Sequence, residues 1–281
     1  EIKLSGDKIQ LKTPLGKYSL ATLPSDNFPI FEIQESGEQL KINSKDLRKI
    51  FSTISFAIGI GSMEKSFLGG LLLELKDDIL TTAASDGLKL AVNISKVSAE
   101  NSFSGVIPKK SVNEMTKFLA DANGEASLLI NDHSVELNTG NITFKSKLID
   151  QEFPDPKQLL QQMIPGKGSV AEVGVKELSQ SLSRVSVLST DIHNKVLLNV
   201  SDGTLIVSTN NSAEEVGEEA LSVKYSGEKI NVAFNVNHLQ EVLSHQEGNV
   251  CNIEFFGSNK LCLIQAPDVE FPKYVLAPLL V

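Results

Sequence analysis

The chain has 281 residues, room for about two domains. Its 41% apolar and 22% charged residues are ordinary globular composition, which excludes a wholly disordered chain, and no run approaches the ~18–20 apolar residues of a membrane span. Lys and Arg number 26 against 35 Asp and Glu, so the net charge of −9 disfavours a uniformly basic nucleic-acid binder but leaves room for a local basic stripe; with no Trp and 6% aromatic residues, a base-stacking platform for single strands is not expected.

The opening residues, Glu1-Ile2-Lys3-Leu4, have no initiator Met and lack the basic head and apolar stretch of a signal peptide, so the chain is expected to be a fragment or a processed product. Residues 1–34 read as two or three strands without a helix. Leu47, Ile50, Phe51 and Ile54 recur on one helical face, with Ser44 as the expected N-cap. Leu71–Leu75 and Ile79–Ala84 flank a Lys-Asp-Asp turn and predict a hairpin. Ser111-Val-Asn-Glu114 reads as a capping box that opens a second helix through Met115, Phe118 and Leu119. Ser127–Ile130 with Val135–Leu137 predicts the next hairpin. Leu178, Leu182 and Val185 mark a third helix, and Leu239, Val242 and Leu243 a fourth. Between and after them, Val196–Val200 with Leu205–Ser208 and Ile253–Phe256 with Leu261–Ile264 repeat the hairpin form. Antiparallel hairpins with two helices per unit define an α+β class.

The landmarks also repeat. A strand-like run leads into Phe28-Pro29, Phe153-Pro154 and Phe271-Pro272, roughly 120 residues apart. Lys45-Asp-Leu-Arg matches Lys176-Glu-Leu-Ser, and Ile107-Pro-Lys-Lys-Ser-Val matches Phe234-Asn-Val-Asn-His-Leu. Ser85-Asp86-Gly87 and Ser201-Asp202-Gly203 form a looser pair, both read as turns. The expected organisation is the tail of one unit at 1–34 and two complete units at 35–167 and 168–281, with joints near Ile33–Gln39 and Ile164–Ser169.

Motifs for chemistry are sparse. Gly59-Ile-Gly61 follows a helix and has no Gly-Lys continuation, so a flexible loop is expected there and no phosphate cradle. His133, His193, His238 and His245 make no metal spacing with the lone cysteines. Asp150, Glu152 and Asp155 surround Phe153-Pro154 and are conceivable as an acid/base set, but acids beside a turn Pro in each copy suggest turn chemistry. Cys251 and Cys262 lie in strand-like runs and read as reduced core residues, with a cross-strand bridge as the other reading. Basic residues gather on the helices: Lys45, Arg48 and Lys49, then Lys109, Lys110 and Lys117, then Lys176 and Arg184. Acids gather in segments such as Glu214–Glu219.

Taken in order, these residues resemble the bacterial DNA polymerase III beta subunit family, the replicative sliding clamps. Ser85-Asp-Gly-Leu-Lys-Leu-Ala-Val92 after Leu68-Gly-Gly70 is similar to the family's Thr-Asp-Gly-His-Arg-Leu-Ala after Leu-Asn-Gly. Ile107-Pro-Lys-Lys, Phe144-Lys-Ser-Lys-Leu-Ile-Asp, Phe153-Pro-Asp155, Phe234-Asn-Val236 and Tyr274-Val-Leu-Ala-Pro278 add to the match. The resemblance implies a DNA-clamp fold with most of the first of three domains absent. It implies a cytoplasmic, non-enzymatic processivity factor without cofactor, metal or membrane. Two such subunits join head to tail into a ring around double-stranded DNA and tether the replicative DNA polymerase, the clamp loader and other proteins. By position, Lys45, Arg48, Phe67, Lys109, Lys110, Lys117 and Arg184 would face DNA, and Val187 and Leu188 would meet the second subunit. The partner-peptide groove would comprise Leu68, Ser85, Gly87, Leu88, Lys89, Leu90, Pro154, Leu159, Val275, Ala277, Pro278 and Leu279. Leu88 stands where the family usually has His, Lys89 where it has Arg, Ala277 where it often has Met, and Leu280-Val281 where it often has Arg-Leu. The rival readings are a tandem α+β interaction scaffold with no DNA role and a hydrolase built on Asp150, Glu152 or Asp155.

Overall fold

The computed structural model describes every residue except 28–36, 99–100, 164–165, 190–193, 212 and 280–281. Phe28-Pro29, His193 and Leu280-Val281 therefore lie outside the described residues. The chain divides into two units, residues 1–35 and 36–281. In the first, β1 (Ile2–Ser5), β2 (Lys8–Thr13) and β3 (Gly16–Ala21) form an antiparallel meander in the order β1-β2-β3. Ile2, Leu4, Tyr18 and Leu20 are all exposed on it.

The second unit begins with β4 (Glu38–Asn43), α1 (Ser44–Ile54), β5 (Gly70–Lys76), β6 (Ile79–Ser85) and β7 (Lys89–Lys96). It continues with β8 (Phe103–Pro108), α2 (Lys109–Asp121), β9 (Glu125–Ile130), β10 (Ser134–Asn138) and β11 (Thr143–Lys147), then a short α3 (Pro156–Gln162). Next come β12 (Ser169–Gly174), α4 (Val175–Val185), β13 (Lys195–Ser201), β14 (Thr204–Asn210) and β15 (Val216–Ser222). The last group is β16 (Ile230–Asn235), α5 (Val236–Ser244), β17 (Val250–Phe255), β18 (Cys262–Gln265) and β19 (Lys273–Leu276). One order, strand, helix and three strands, thus runs four times through this unit. The repeat is half as long as the one seen in the sequence.

The sheets show the same symmetry. β11-β10-β9-β4 and β15-β14-β13-β16 each have four strands, while β12-β17-β18-β19 and β7-β6-β5-β8 are fused into one eight-stranded sheet. The fusion is an antiparallel seam in which Lys273, Tyr274, Val275 and Leu276 pair with Val92, Ala91, Leu90 and Lys89. The sheet therefore continues from the first half of this unit into the second through backbone groups, leaving no open edge at the seam.

Helix placement follows from the apolar stripes. α1 buries Leu47, Ile50, Phe51 and Ile54, α2 Val112, Met115 and Leu119, α4 Leu178, Leu182 and Val185, and α5 Leu239, Val242 and Leu243. All of these join one hydrophobic cluster with the inner faces of the sheets. Each large side chain contributes about 1.5–3 kcal/mol by leaving water. The opposite face of the eight-stranded sheet carries Leu72, Ala83, Leu90, Val92, Leu263 and Val275, covered by Leu160 of α3 and by Met163. Cys251 and Cys262 are buried and unbridged, and burial pushes both thiols up to about 12.

Four local expectations need correction. Asn43, not Ser44, caps α1: its side chain accepts the Lys45 N–H at 2.9 Å, while Ser44 is buried inside the first turn. The capping box does not form, because α2 already starts at Lys109 and Ser111 turns its hydroxyl to Ser146 at 2.7 Å. α3 was not expected. Its start is set by Asp155, which accepts the Lys157 N–H at 2.8 Å, and by Pro156 in the first turn. Finally, the two described Phe-Pro pairs are not equivalent. Phe153-Pro154 lies between β11 and α3, whereas Phe271-Pro272 immediately precedes β19. Proline has no N–H to offer a ladder, so it lies outside the strands in both places and does not fix the register of a repeat.

Candidate functional site at the seam of the eight-stranded sheet

Strand alternation decides which residues meet at the seam. Leu90 of β7 and Val275 of β19 are direct partners and point to the outer face, where Leu159 of α3 packs beside them. Leu68 stands at the rim, its Cδ1 lying 4.0 Å from where a Cβ on Gly87 would sit. Gly87 has φ +93°, in the left-handed region, so glycine fits this turn best. Ser85 donates to the Lys89 carbonyl at 2.8 Å, and Asp86 accepts the N–H groups of Leu88 and Lys89, both at 2.8 Å. This closed turn leaves the Leu88 side chain 52% exposed. The C-terminal segment is tied alongside: Ala277 N–H donates to the Leu88 carbonyl and Leu279 N–H to the Ala233 carbonyl, both at 2.8 Å. Pro154 is exposed and Pro278 half-buried.

Lys89 does not join Leu90. It is one residue away on the strand, so it projects to the helix face. There its ammonium meets Asp86 at 2.6 Å and Glu241 of α5 at 2.9 Å. Burial works against the Lys89 charge, but the two carboxylates outweigh it and hold Lys89 above its ordinary range. Burial likewise opposes the Asp86 charge, yet hydrogen bonds from the Lys89 ammonium and from the backbone hold it below the usual carboxylate range. His238, nearby on α5, is pushed down by burial first and by the Lys89 charge second.

The cations expected on the helices divide into two kinds. Lys45 and Arg48 of α1, Lys110 of α2 and Lys176 of α4 are exposed, and among the described residues they have no carboxylate within ion-pair distance. The others are engaged. Lys109 donates to the Ile58 carbonyl at 2.7 Å, Lys117 pairs with Glu114 at 2.8 Å, and Arg184 makes a two-pronged contact with Glu219 at 2.6 and 2.7 Å. Phe67 packs edge-on against Phe153, 5.4 Å between centroids, and its N–H donates to Gln151. Val187 and Leu188 lie on a 3-10 turn, Ser186–Leu188, just past α4. Val187 is 76% exposed, and Leu188 lies against Gly217 of β15.

Asp155 is committed to capping α3, while Asp150 and Glu152 are exposed at the bend before it. Among the described residues, no group of three His, Cys, Asp or Glu is placed to hold a metal, and no helix is long and apolar enough to cross a membrane. One feature had no local signal in the sequence. A hollow of about 880 Å³ adjoins the seam, with Leu159 and Pro278 on its near side and Met163, Leu261, Lys167, Lys229 and Lys260 beyond.

A repeated strand-helix-three-strand unit, a layer of helices on one sheet face and an apolar seam on the other together define a clamp-type α+β architecture. Residues 41–155 match the family model for the central domain of the DNA polymerase III beta subunit, and residues 161–280 match that for its C-terminal domain. The chain belongs to this family, the beta sliding clamps. It is 29% identical to the beta sliding clamp of Pseudomonas putida over 282 aligned positions, covering 99% of this chain and 76% of that protein. It is 27% identical to the Escherichia coli beta sliding clamp, over 99% of this chain and 75% of the other. The crystal structure of a DNA polymerase sliding clamp from Pseudomonas aeruginosa superposes with a TM-score of 0.90 at 27% identity, covering 100% of this chain and 76% of that one.

Proposed function

We propose that the chain is the central and C-terminal portion of a DNA sliding clamp, residues 35–167 and 168–281, preceded at 1–34 by the end of a further clamp domain. In this reading two subunits close head to tail around duplex DNA and hold the replicative polymerase and other partners through peptides seated at the seam. One observation carries the DNA role: four helices bury their apolar faces in one cluster and leave Lys45, Arg48 and Lys110 exposed and unpaired among the described residues. A few mobile cations screen phosphates without locking to one register, which suits a protein that slides. Arg184, neutralised by Glu219, adds less to such a surface. The outer edge of β15, flanked by Val187 and by Val216 at 66% exposure, supports a second-subunit contact made by strand addition.

The test uses a version extended to the full length of the relatives. Lys45→Glu, Arg48→Glu and Lys110→Glu together are expected to weaken retention on nicked circular duplex DNA. They should also flatten its salt dependence by roughly 0.9 in logarithmic slope for each phosphate that is no longer neutralised. Retention with an unchanged slope would remove these residues from the DNA surface.

A further inference from the structure

The segment between α1 and β5 is closed at its base and open at its tip. Gly59 N–H donates to the Leu68 carbonyl at 2.9 Å, and the segment ends in a 3-10 turn, Ser66–Gly69, that carries Phe67 and Leu68. The base sits directly on the Ser85–Lys89 turn, since a Cβ on Gly59 would lie 2.7 Å from the Asp86 Cα. The tip has no such support, and Ile60 and Met63 are wholly exposed.

A side chain 84 to 87 residues further along the chain reaches into this loop. The Ser66 hydroxyl donates to Gln151 Oε1 at 2.9 Å and the Phe67 N–H to the same oxygen at 3.1 Å, while Gln151 Nε2 donates to the Glu64 carbonyl at 3.0 Å. A primary amide accepts and donates at once; a carboxylate only accepts, and a thioether offers little of either.

Gln151 belongs to the bend between β11 and α3. That bend is fastened at its start, where the Ile149 N–H donates to the Val106 carbonyl at 2.8 Å, and at its end by the Asp155 cap. Between those points it meets the loop through Gln151 and through the Phe67–Phe153 pair. Beyond the bend, α3 brings Leu159 to the cluster of Leu90 and Val275. The two flanks of the seam, Leu68 on the loop and Leu159 on α3, thus come from segments outside the sheet, and Gln151 is a polar tie between them.

We infer that Gln151 is a positioning residue for partner binding: it holds the loop so that Leu68 stands at the seam rim before a peptide arrives. The inference rests on the seam being the peptide site and adds what fixes its rim. A rim already in place spares the complex the entropy of ordering it, so loosening the clasp lowers affinity through Leu68 alone.

Fluorescence anisotropy tests it on the chain extended to the relatives' full length, with a short labelled peptide of leucines in a serine-glycine frame. Gln151→Met keeps the volume and drops the hydrogen bonds, and Gln151→Glu sets an oxygen against the Glu64 carbonyl; each is expected to weaken binding about fivefold. In a Leu68→Ala background the same changes should alter affinity by less than about twofold, because the side chain through which Gln151 acts is gone. A second measurement needs no peptide: trypsin under native conditions should cut after Lys65 several times faster in both variants, with the cut after Lys260 unchanged. Equal losses in the two backgrounds, unchanged affinity with Leu68 in place, or unchanged cleavage after Lys65 would each overturn the inference while the seam reading stands. Faster cleavage at both lysines would mark a general loss of the fold and overturn it too. A parent that does not bind the peptide would remove the seam reading, and this one with it.

Discussion

Lys89 is 8% exposed and holds two carboxylates, so the seam carries an ionic cluster on one face and an apolar one on the other. Removing one member of a buried pair typically costs 3–5 kcal/mol, because the other charge stays behind; Glu241, half exposed, would cost less than Asp86. The cluster also gives stability a pH dependence. His238 is lowered in the folded state, so the unfolded chain takes up its proton first, near about pH 6.5. Stability is then full above about pH 6.5 and falls through the window down to the lowered folded value. Asp86 is depressed, so its contribution holds above about pH 3.9 and is lost as the pH falls further. Urea midpoints are expected to decline below about pH 6.5 in the parent protein and to decline less in His238→Asn. Parallel declines in both proteins would place the titrating group elsewhere.

Among the elements, the N-terminus of α1 offers a sharp comparison. Asn43→Ala should cost about 1 kcal/mol through the lost cap, whereas Ser44→Ala should be close to neutral, since its buried hydroxyl finds no partner among the described residues. A larger loss at Ser44 in chemical denaturation would contradict the cap geometry. The long helices and the hairpins were legible because their information is local. Leu47, Ile50, Phe51 and Ile54 spell one helical face, and the Asp77-Asp78 turn accepts φ of 52° and 61°, as a tight hairpin requires. α3 was missed because a helix of 7 residues is too short for periodicity to accumulate, although Asp155-Pro156 ahead of Leu159 and Leu160 was a readable start signal. The β7 side of the seam was legible as a strand entered by a turn, through the motif around Ser85–Val92. The direction of Lys89 was not, because it depends on which face the register assigns to β7. Nothing local announces Lys167, Lys229 and Lys260 as neighbours, since their proximity exists only after the sheet has closed.

At the scale of the second unit, strand edges decide what joins what. β7 and β19 satisfy each other, while β15 bonds only β14 among the described strands and presents its other edge beside Val187 and Val216. Extended to the relatives' full length, the protein is expected to sediment as a dimer, and Val187→Asp/Val216→Asp should shift it to a monomer with its circular dichroism unchanged. Dimers that persist in that variant would move the interface away from β15. The seam between β7 and β19 has a further consequence for how such a protein evolves. Its pairing is made by peptide groups, which every residue type except proline supplies in full, so the hydrogen bonds themselves do not depend on which side chains the strands carry. An insertion or deletion is another matter. Slipping β7 by a single position would carry Lys89 into the apolar face and Leu90 among the carboxylates, reversing both surfaces at once. Lineages of this fold should therefore keep the lengths of the two strands fixed and admit there the substitutions that preserve the apolar and the ionic face.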